Sequence, residues 1–251
     1  MPTLDAALAA AAIIVAVAFG AATLERWLVR RRPHELAWTI ALGMFAAASF
    51  ALWVSEAVGW SAGSFRAFFL FGAVLNVPWL ALGTVYLLAP RPAADVVRWV
   101  LAVVSGFAAG VILVAPMHAP VPTDELPQGS DLFGPLPRIL AAVGSGLGAV
   151  VIVGGALWSA WRLLAARRAT TARGRAEAWN GRRLAIGNVV IATGTLILSA
   201  SGTVAGRLGK DRAFALTLVL GITVLFAGFL IATPGRPPAA ARLLRSAQDA
   251  A

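Results

Sequence analysis

The sequence predicts an all-α protein, a polytopic bundle of transmembrane helices, from its composition and from the spacing of its apolar residues. Of 251 residues, 59% are hydrophobic and 13% are charged, whereas a soluble domain carries about 25% charged residues. The apolar residues form runs about one bilayer long, separated by short segments rich in Arg, Pro or Gly. The net charge of +10 is concentrated in those connections. This is the pattern of membrane topology, so nucleic acid is not a predicted partner.

Seven runs have the length of a membrane span. The predicted helices cover about residues 4–29, 36–58, 65–88, 96–115, 138–164, 184–205 and 214–233. Residues 1–235 are expected to form one transmembrane domain, and the proline-broken residues 236–251 a mobile tail. The longest connection, 116–137, holds six prolines, three acidic residues and no Lys or Arg. It is predicted to be an extramembrane loop that proteases reach.

The basic residues orient these spans. Counted over alternate sides of the membrane, 16 Lys and Arg residues fall on one side and five on the other. The positive-inside rule then places the C-terminus in the cytoplasm and the N-terminus outside. Heavy use of Ala, Arg, Gly and Val with a single lysine suggests a GC-rich bacterial genome, so the predicted location is the bacterial cytoplasmic membrane.

An internal repeat is a further hypothesis. The tripeptide Arg-Ala-Phe opens both the third and the seventh predicted helices, at residues 66–68 and 212–214. Together with similar residues at the starts of the second and sixth helices, this suggests a three-plus-one-plus-three arrangement of two parallel halves. Chance identity in an Ala-rich chain is the alternative.

The third run, FRAFFLFGAVLNVPWLALGTVYLL, has a specialised middle. Asn76 falls near the centre of the membrane, and Pro78 removes a backbone donor, which predicts a kink. A neighbouring helix, a side chain or water then has to satisfy the freed carbonyl. Gly72, Asn76 and Gly83 share one helical face, where small residues let another helix approach closely. Trp79 is the only deep tryptophan, since the others gather at the span ends.

The sixth run carries a polar stripe that includes Asn188, Thr195 and Ser199. One interpretation is that the hydroxyls bond back to their own helix and the small residues permit tight packing. The other is a polar cavity between the third and sixth helices that offers donors and acceptors to a ligand. Under that hypothesis, the ligand-binding residues are Asn76, Trp79, Asn188, Thr195 and Ser199.

Two charges flank the hairpin between the second and third helices. Glu56 and Arg66 both lie at the predicted outer interface, where the cost of a charge is small. We expect an ion pair that fixes the hairpin. The alternative is a proton or ligand contact at the mouth of a cavity.

Several chemistries find no support in the sequence. There is no cysteine, and the two histidines, His34 and His118, are predicted on opposite sides of the membrane. They therefore cannot jointly bind a haem or a metal, nor complete a Ser-His-Asp group. The glycines at 144–148 lie inside an apolar helix without a following Lys-Ser/Thr, so they favour packing over nucleotide binding. No cofactor, metal or catalytic residue is predicted, and an enzyme is the least favoured class.

The seven-span layout with an outer N-terminus is shared with microbial rhodopsins, but retinal needs a lysine near the middle of the last helix. The only lysine, Lys210, precedes that helix, so a retinal protein is rejected. Through the stretch 65–88 and its Ala/Arg-rich context, the chain resembles the uncharacterised multi-pass membrane proteins of actinobacteria. That resemblance implies no activity.

Two functional hypotheses remain. The first is a bundle that binds or transports a small molecule in a polar cavity, which the break at Asn76 and Pro78 favours. The second is a non-catalytic membrane subunit or scaffold that docks a protein partner or a second copy through Gly-rich helix faces. In both cases the lipid bilayer is the surrounding partner.

Overall fold

A computed structural model describes residues 4–166, 183, 186–198 and 210–232, and this part of the chain is helical throughout its length apart from short connections. We number the helices in chain order. They are α1 (Leu4–Arg30), α2 (Pro33–Val58), α3 (Ala62–Leu88), α4 (Arg91–Val114), the short α5 (Gly129–Leu132), α6 (Pro135–Ala166), α7 (Ile186–Leu198) and α8 (Lys210–Ala232).

Six of the described helices, α1 to α4, α6 and α8, are long and apolar enough to cross a membrane. The chain is therefore an integral, multi-pass membrane protein, and the predicted all-α bundle is confirmed. The seventh predicted span is represented by α7, an apolar helix of 13 described residues. The ends of that span, the basic loop before it and the C-terminal tail lie outside the described residues. The orientation in the membrane and the internal repeat stay predictions.

Of the helices that begin earlier than predicted, three do so at or next to a proline. The helix α2 begins at Pro33 instead of residue 36, α4 at Arg91 instead of residue 96, and α6 at Pro135 instead of residue 138. The predicted bounds assign these prolines to the connections. In the first helical turn, however, the N–H that proline lacks would have had no partner, and its fixed φ already suits the helix.

The helices α1 and α2 pack along their length through small residues. Ala9, Ala12 and Ala16 of α1 are fully buried, and Phe19 stacks on Phe226 of α8 with ring centroids 4.8 Å apart. Small buried residues let membrane helices pack closely, which is how they gain packing energy without a hydrophobic driving force.

A buried ion pair connects the C-terminal end of α1 to the N-terminal end of α2. Glu35 is fully buried, and its Oε1 accepts from Arg26 Nε at 3.4 Å, while Oε2 has no hydrogen-bond partner among the described residues. Beside it, Thr39 Oγ1 donates to Thr23 Oγ1 at 3.0 Å. This polar cluster joins the two helices at the end opposite the α2–α3 turn.

The centre of α3 is irregular, as its proline predicts. Residues Phe69–Leu75 form a π-helix, and the backbone N–H of Asn76 donates to the carbonyl of Phe71, five residues back. Ala73 lies five residues before Pro78, the spacing at which a π turn would need the donor that proline lacks. Ser145 of α6 supplies one, because its Oγ donates to the Ala73 carbonyl at 2.5 Å. A side chain of a neighbouring helix therefore donates to a carbonyl beside the proline break.

Glycines bring α2 and α6 close to α3. A Cβ on Gly83 would collide with the indole of Trp38 in α2, and one on Gly148 of α6 would lie 2.9 Å from Val77 Cγ1. A Cβ on Gly144 would lie 3.0 Å from the carbonyl oxygen of Val74. The predicted close approach at Gly83 and the packing role of the glycines at 144 and 148 are confirmed.

Residues 115–134, which we call the cap segment, fold back on the bundle. Met117 and Phe133 pair in an isolated β-bridge, and the backbone N–H of Trp60 donates to the Thr123 carbonyl at 3.2 Å. Phe133 is 1% exposed and stacks on Phe65 with centroids 5.4 Å apart. The segment is therefore anchored by its buried aromatic and leucine side chains, while about half of its residues are exposed, including 118–120 and 123–125. Its accessibility to proteases stays a prediction.

Candidate functional site: a cavity beneath the cap segment

A cavity of about 590 Å³ lies under the cap segment, in the half of the bundle nearest to it. Residues of α2, α3, α6, α7, α8 and the cap segment line it. It extends along the first half of α3 as far as Leu80, beyond the π-helix and the break at Pro78. The cavity therefore reaches from the cap segment to about the middle of the apolar helix α3.

The wall is mostly apolar and aromatic. Five phenylalanines contribute to it: Phe45, Phe65, Phe68, Phe69 and Phe214. The polar side chains on the lining are few: Ser49, Asn76, Gln128, Ser130, Arg138, Ser145 and Thr195. A largely apolar cavity with a few placed polar groups is the usual form of a small-molecule site.

Asn76 is the most informative of these polar residues. Its side chain lines the cavity in the middle of α3 and makes no hydrogen bond with any residue that the structure describes. An amide carries two N–H donors and an acceptor oxygen, and leaving these unpaired in an apolar environment costs several kcal/mol on typical transfer scales, roughly 2–7. The amide is half-buried and faces the cavity, so water or a ligand there can supply its partner.

Thr195 is the second predicted residue on the lining. It is 3% exposed, and its Oγ1 donates to the Ile191 carbonyl of its own helix at 2.9 Å. Its hydroxyl hydrogen is used by that backbone bond, so the residue follows the packing interpretation while still facing the cavity. A hydroxyl oxygen that donates in this way keeps its acceptor capacity.

Two further predicted residues lie away from the cavity lining. Trp79 Nε1 donates to Ser105 Oγ of α4 at 3.0 Å, and Asn188 Nδ2 donates to Ser159 Oγ of α6 at 2.7 Å. Both bonds tie neighbouring helices together. The fifth predicted residue, Ser199, lies outside the described residues. The structure therefore brings Asn76 and Thr195 together on one cavity and gives Trp79 and Asn188 partners elsewhere.

Arg66 has partners other than the predicted carboxylate. Its guanidinium donates to the backbone carbonyls of Ile112, Leu113 and Ala115 at the end of α4, the last two at 3.0 and 2.8 Å. The final carbonyls of a helix have no intrahelical donor, so a cation there satisfies both charge and hydrogen bonding.

Arg66 therefore caps the C-terminal end of α4. Ion pairs between described residues join Arg26 to Glu35 and Asp95 to both Arg91 and Arg98. The pair of Glu56 with Arg66 is not among them.

Sequence reasoning missed Arg138. This residue lies in the first turn of α6 and is the only charged side chain among the described residues that line the cavity. Its side chain is exposed, and it makes no ion pair or hydrogen bond within the described part of the chain. The available signal was its position directly after 22 residues without Lys or Arg.

The residues that the structure describes include no group of three or more His, Asp and Glu side chains that could hold a metal ion. Comparison with known proteins gives no further guidance: no family model matches the chain, and no curated protein matches it.

Proposed function

We propose that this integral membrane protein binds a small, largely apolar molecule in the cavity beneath the cap segment, as a membrane binding protein or transporter. The observation that carries the proposal is Asn76, a mid-membrane amide that lines the cavity and has no hydrogen-bond partner in the described part of the protein. A ligand group that accepts from or donates to this amide offsets the cost of burying it.

Size and position support the same proposal. The cavity volume of about 590 Å³ falls within the range of about 300–1,000 Å³ that is typical of small-molecule sites. The site also lies at a π-helix followed by a proline, and irregular helix segments near mid-membrane are where transporters place substrate sites. An apolar body with one hydrogen-bonding group matches the phenylalanine walls and the unpaired amide of Asn76.

A photoreactive fatty alcohol, with a diazirine on its chain, tests the proposal in the full-length protein reconstituted in phosphatidylcholine vesicles. We expect saturable labelling of peptides from α3 and α6 that line the cavity, competed by the unlabelled alcohol. Labelling of α4 should instead rise linearly with probe concentration, because only 11% of its apolar window is buried and it faces the lipid.

Two leucine variants sharpen the result. Asn76→Leu should remove the saturable labelling of α3 and α6 in a protein that remains folded and monodisperse. Asn188→Leu is the matched control, because it removes the same amide from a residue that bonds to Ser159 away from the lining. It should lower thermal stability and leave saturable labelling intact. Unchanged labelling in Asn76→Leu would overturn the cavity proposal.

The second candidate function is a membrane subunit that docks a partner. Gly106 and Gly110 of α4 favour it, because a Cβ on either meets no atom within 4 Å, and a Gly-xxx-Gly face on an exposed helix suits close helix contact. If a second copy is that partner, Gly106→Ile should dissociate an oligomer in mild detergent, as measured by light scattering. A wild type that is monomeric under the same conditions removes the self-association form of this candidate.

A further inference from the structure

Among the described residues that line the cavity, the only charge is positive. Among the described lining residues there is one cation, Arg138, and no Asp or Glu. A cationic ligand would therefore enter a low-dielectric site that offers repulsion and no counter-charge, which is strongly unfavourable. An anionic ligand would find a counter-charge at the interfacial end.

Arg138 is available for that role. The other basic side chains that the structure pairs with acids or carbonyls are Arg26, Arg66, Arg91 and Arg98. Arg138 has no such partner among the described residues, although acidic residues are close in sequence. The nearest of them in the cap segment, Asp131, accepts from Ser130 Oγ at 2.9 Å and makes no ion pair with Arg138.

Charged, apolar and amide side chains also follow one another along the length of the cavity. Its cap end carries Arg138 with the polar side chains of Gln128 and Ser130, its middle is walled by phenylalanines, and its deep end holds Asn76. A guanidinium presents several N–H donors in a planar fork that fits a carboxylate or phosphate. The cost of charge is low at the interface and high at mid-membrane, so the charged group of a ligand belongs at the cap end.

We propose, resting on the proposed function, that the ligand is an anionic amphiphile. Its carboxylate or phosphate binds Arg138 at the cap end, and its apolar chain runs between the phenylalanines towards Asn76. Two sources share this chemistry: a single-chain acid free in the membrane, and an anionic phospholipid of the bilayer itself.

Three photoreactive probes with the same diazirine chain and different head groups test the inference: a carboxylate, an alcohol and a quaternary ammonium. In phosphatidylcholine vesicles, half-saturation of α3 and α6 labelling should occur at a concentration about tenfold lower for the carboxylate than for the alcohol, since a charge-assisted bond adds that much or more. The ammonium probe should give no saturable labelling.

Arg138→Gln should bring the half-saturating concentration of the carboxylate to that of the alcohol. Arg162→Gln is the matched control, because Arg162 is an exposed arginine on the same helix at its opposite end. It should leave the tenfold preference unchanged. A carboxylate preference that persists in Arg138→Gln would overturn the assignment to Arg138.

The outcomes separate the two proposals. Equal saturable labelling by carboxylate and alcohol in the wild type would overturn the anionic inference and leave the binding cavity standing. No saturable labelling by any probe would overturn both. Replacing part of the phosphatidylcholine by phosphatidylglycerol identifies the source: competition with the carboxylate probe assigns the site to a bilayer lipid, and no competition assigns it to a single-chain acid.

Discussion

The two halves of α3, on either side of Pro78, differ in how their neighbours fill space. In the second half, Gly83 faces the indole of Trp38, whose Nε1 also donates to the Leu80 carbonyl at 3.2 Å. In the first half, Gly72 faces Ala48, with a built Cβ 3.2 Å from the Ala48 Cβ. Gly83 is in close contact with the tryptophan that it faces, whereas Gly72, which faces an alanine, lines the cavity.

The comparison shows that one feature makes a helix able to span the membrane and another leaves a cavity beside it. Both halves of α3 are apolar enough to lie in one membrane span. What distinguishes them on the α2 side is the size of the facing residue, which is Trp38 in the second half and Ala48 in the first. Two membrane helices with small residues at their interface pack closely only where their backbones can approach each other. The π-helix alters the path of the α3 backbone beside the neighbouring helices.

Filling the two glycines should give unequal losses, and this is the largest expected effect. Gly83→Ala places a Cβ inside the Trp38 indole, so we expect a loss of about 3 kcal/mol in unfolding free energy, at the upper end for an overpacked core. Gly72→Ala should cost about 1 kcal/mol or less, because its Cβ makes only a tight contact. Thermal unfolding in detergent measures both.

Gly106→Ala is the control for that comparison. A Cβ at this position meets nothing within 4 Å, so the substitution reports helix propensity alone and should stabilise by about 0.5–1 kcal/mol. If Gly83→Ala were tolerated as well as Gly72→Ala, the contrast between a filled and an open half of α3 would be lost.

The second prediction concerns how the cavity half is anchored. Arg66→Gln should destabilise by about 2 kcal/mol, because it removes a charged donor from the carbonyls at the end of α4. Glu56→Gln should cost less. The double change should equal the sum within about 0.5 kcal/mol, the usual limit for residues that do not interact. A double-mutant coupling well above that would restore the ion pair between the two side chains.

Much of this architecture was predictable from the sequence because it depends on local chemistry. The apolar runs marked the spans, and Pro78 predicted both the irregular α3 and the outside donor that Ser145 supplies. The helix starts were predicted late, since Pro33 and Pro135 read equally well as the end of a loop or as the first turn of a helix.

The contents of the site were predictable only in part, because side-chain partners depend on the packing of distant helices. Asn76 was identified from its depth and its neighbouring proline. The partners of Trp79 and Asn188 are Ser105 and Ser159, each on a helix whose rotation the sequence does not specify. Arg138 was missed because a first-turn arginine is an ordinary interfacial residue until a cavity is known to open beside it.

The last prediction tests the boundary between the two halves of α3, with the smallest expected effect. Ser145→Ala removes the donor to the Ala73 carbonyl and should destabilise by about 1 kcal/mol, a typical net value for one hydrogen bond. Pro78→Ala restores a backbone N–H at residue 78 and should let the helix straighten by closing the π turn. The Ala73 carbonyl can then be paired within the helix.

Because both substitutions act on the same carbonyl, their effects should not add. In the Pro78→Ala background, Ser145→Ala should cost clearly less than in the wild type, and double-mutant thermal unfolding measures the difference. Straightening also moves Asn76 relative to α6, so saturable labelling by the fatty-alcohol probe should weaken in Pro78→Ala even where stability rises. Equal costs of Ser145→Ala in both backgrounds, with labelling unchanged, would mean that the proline break does not shape the cavity.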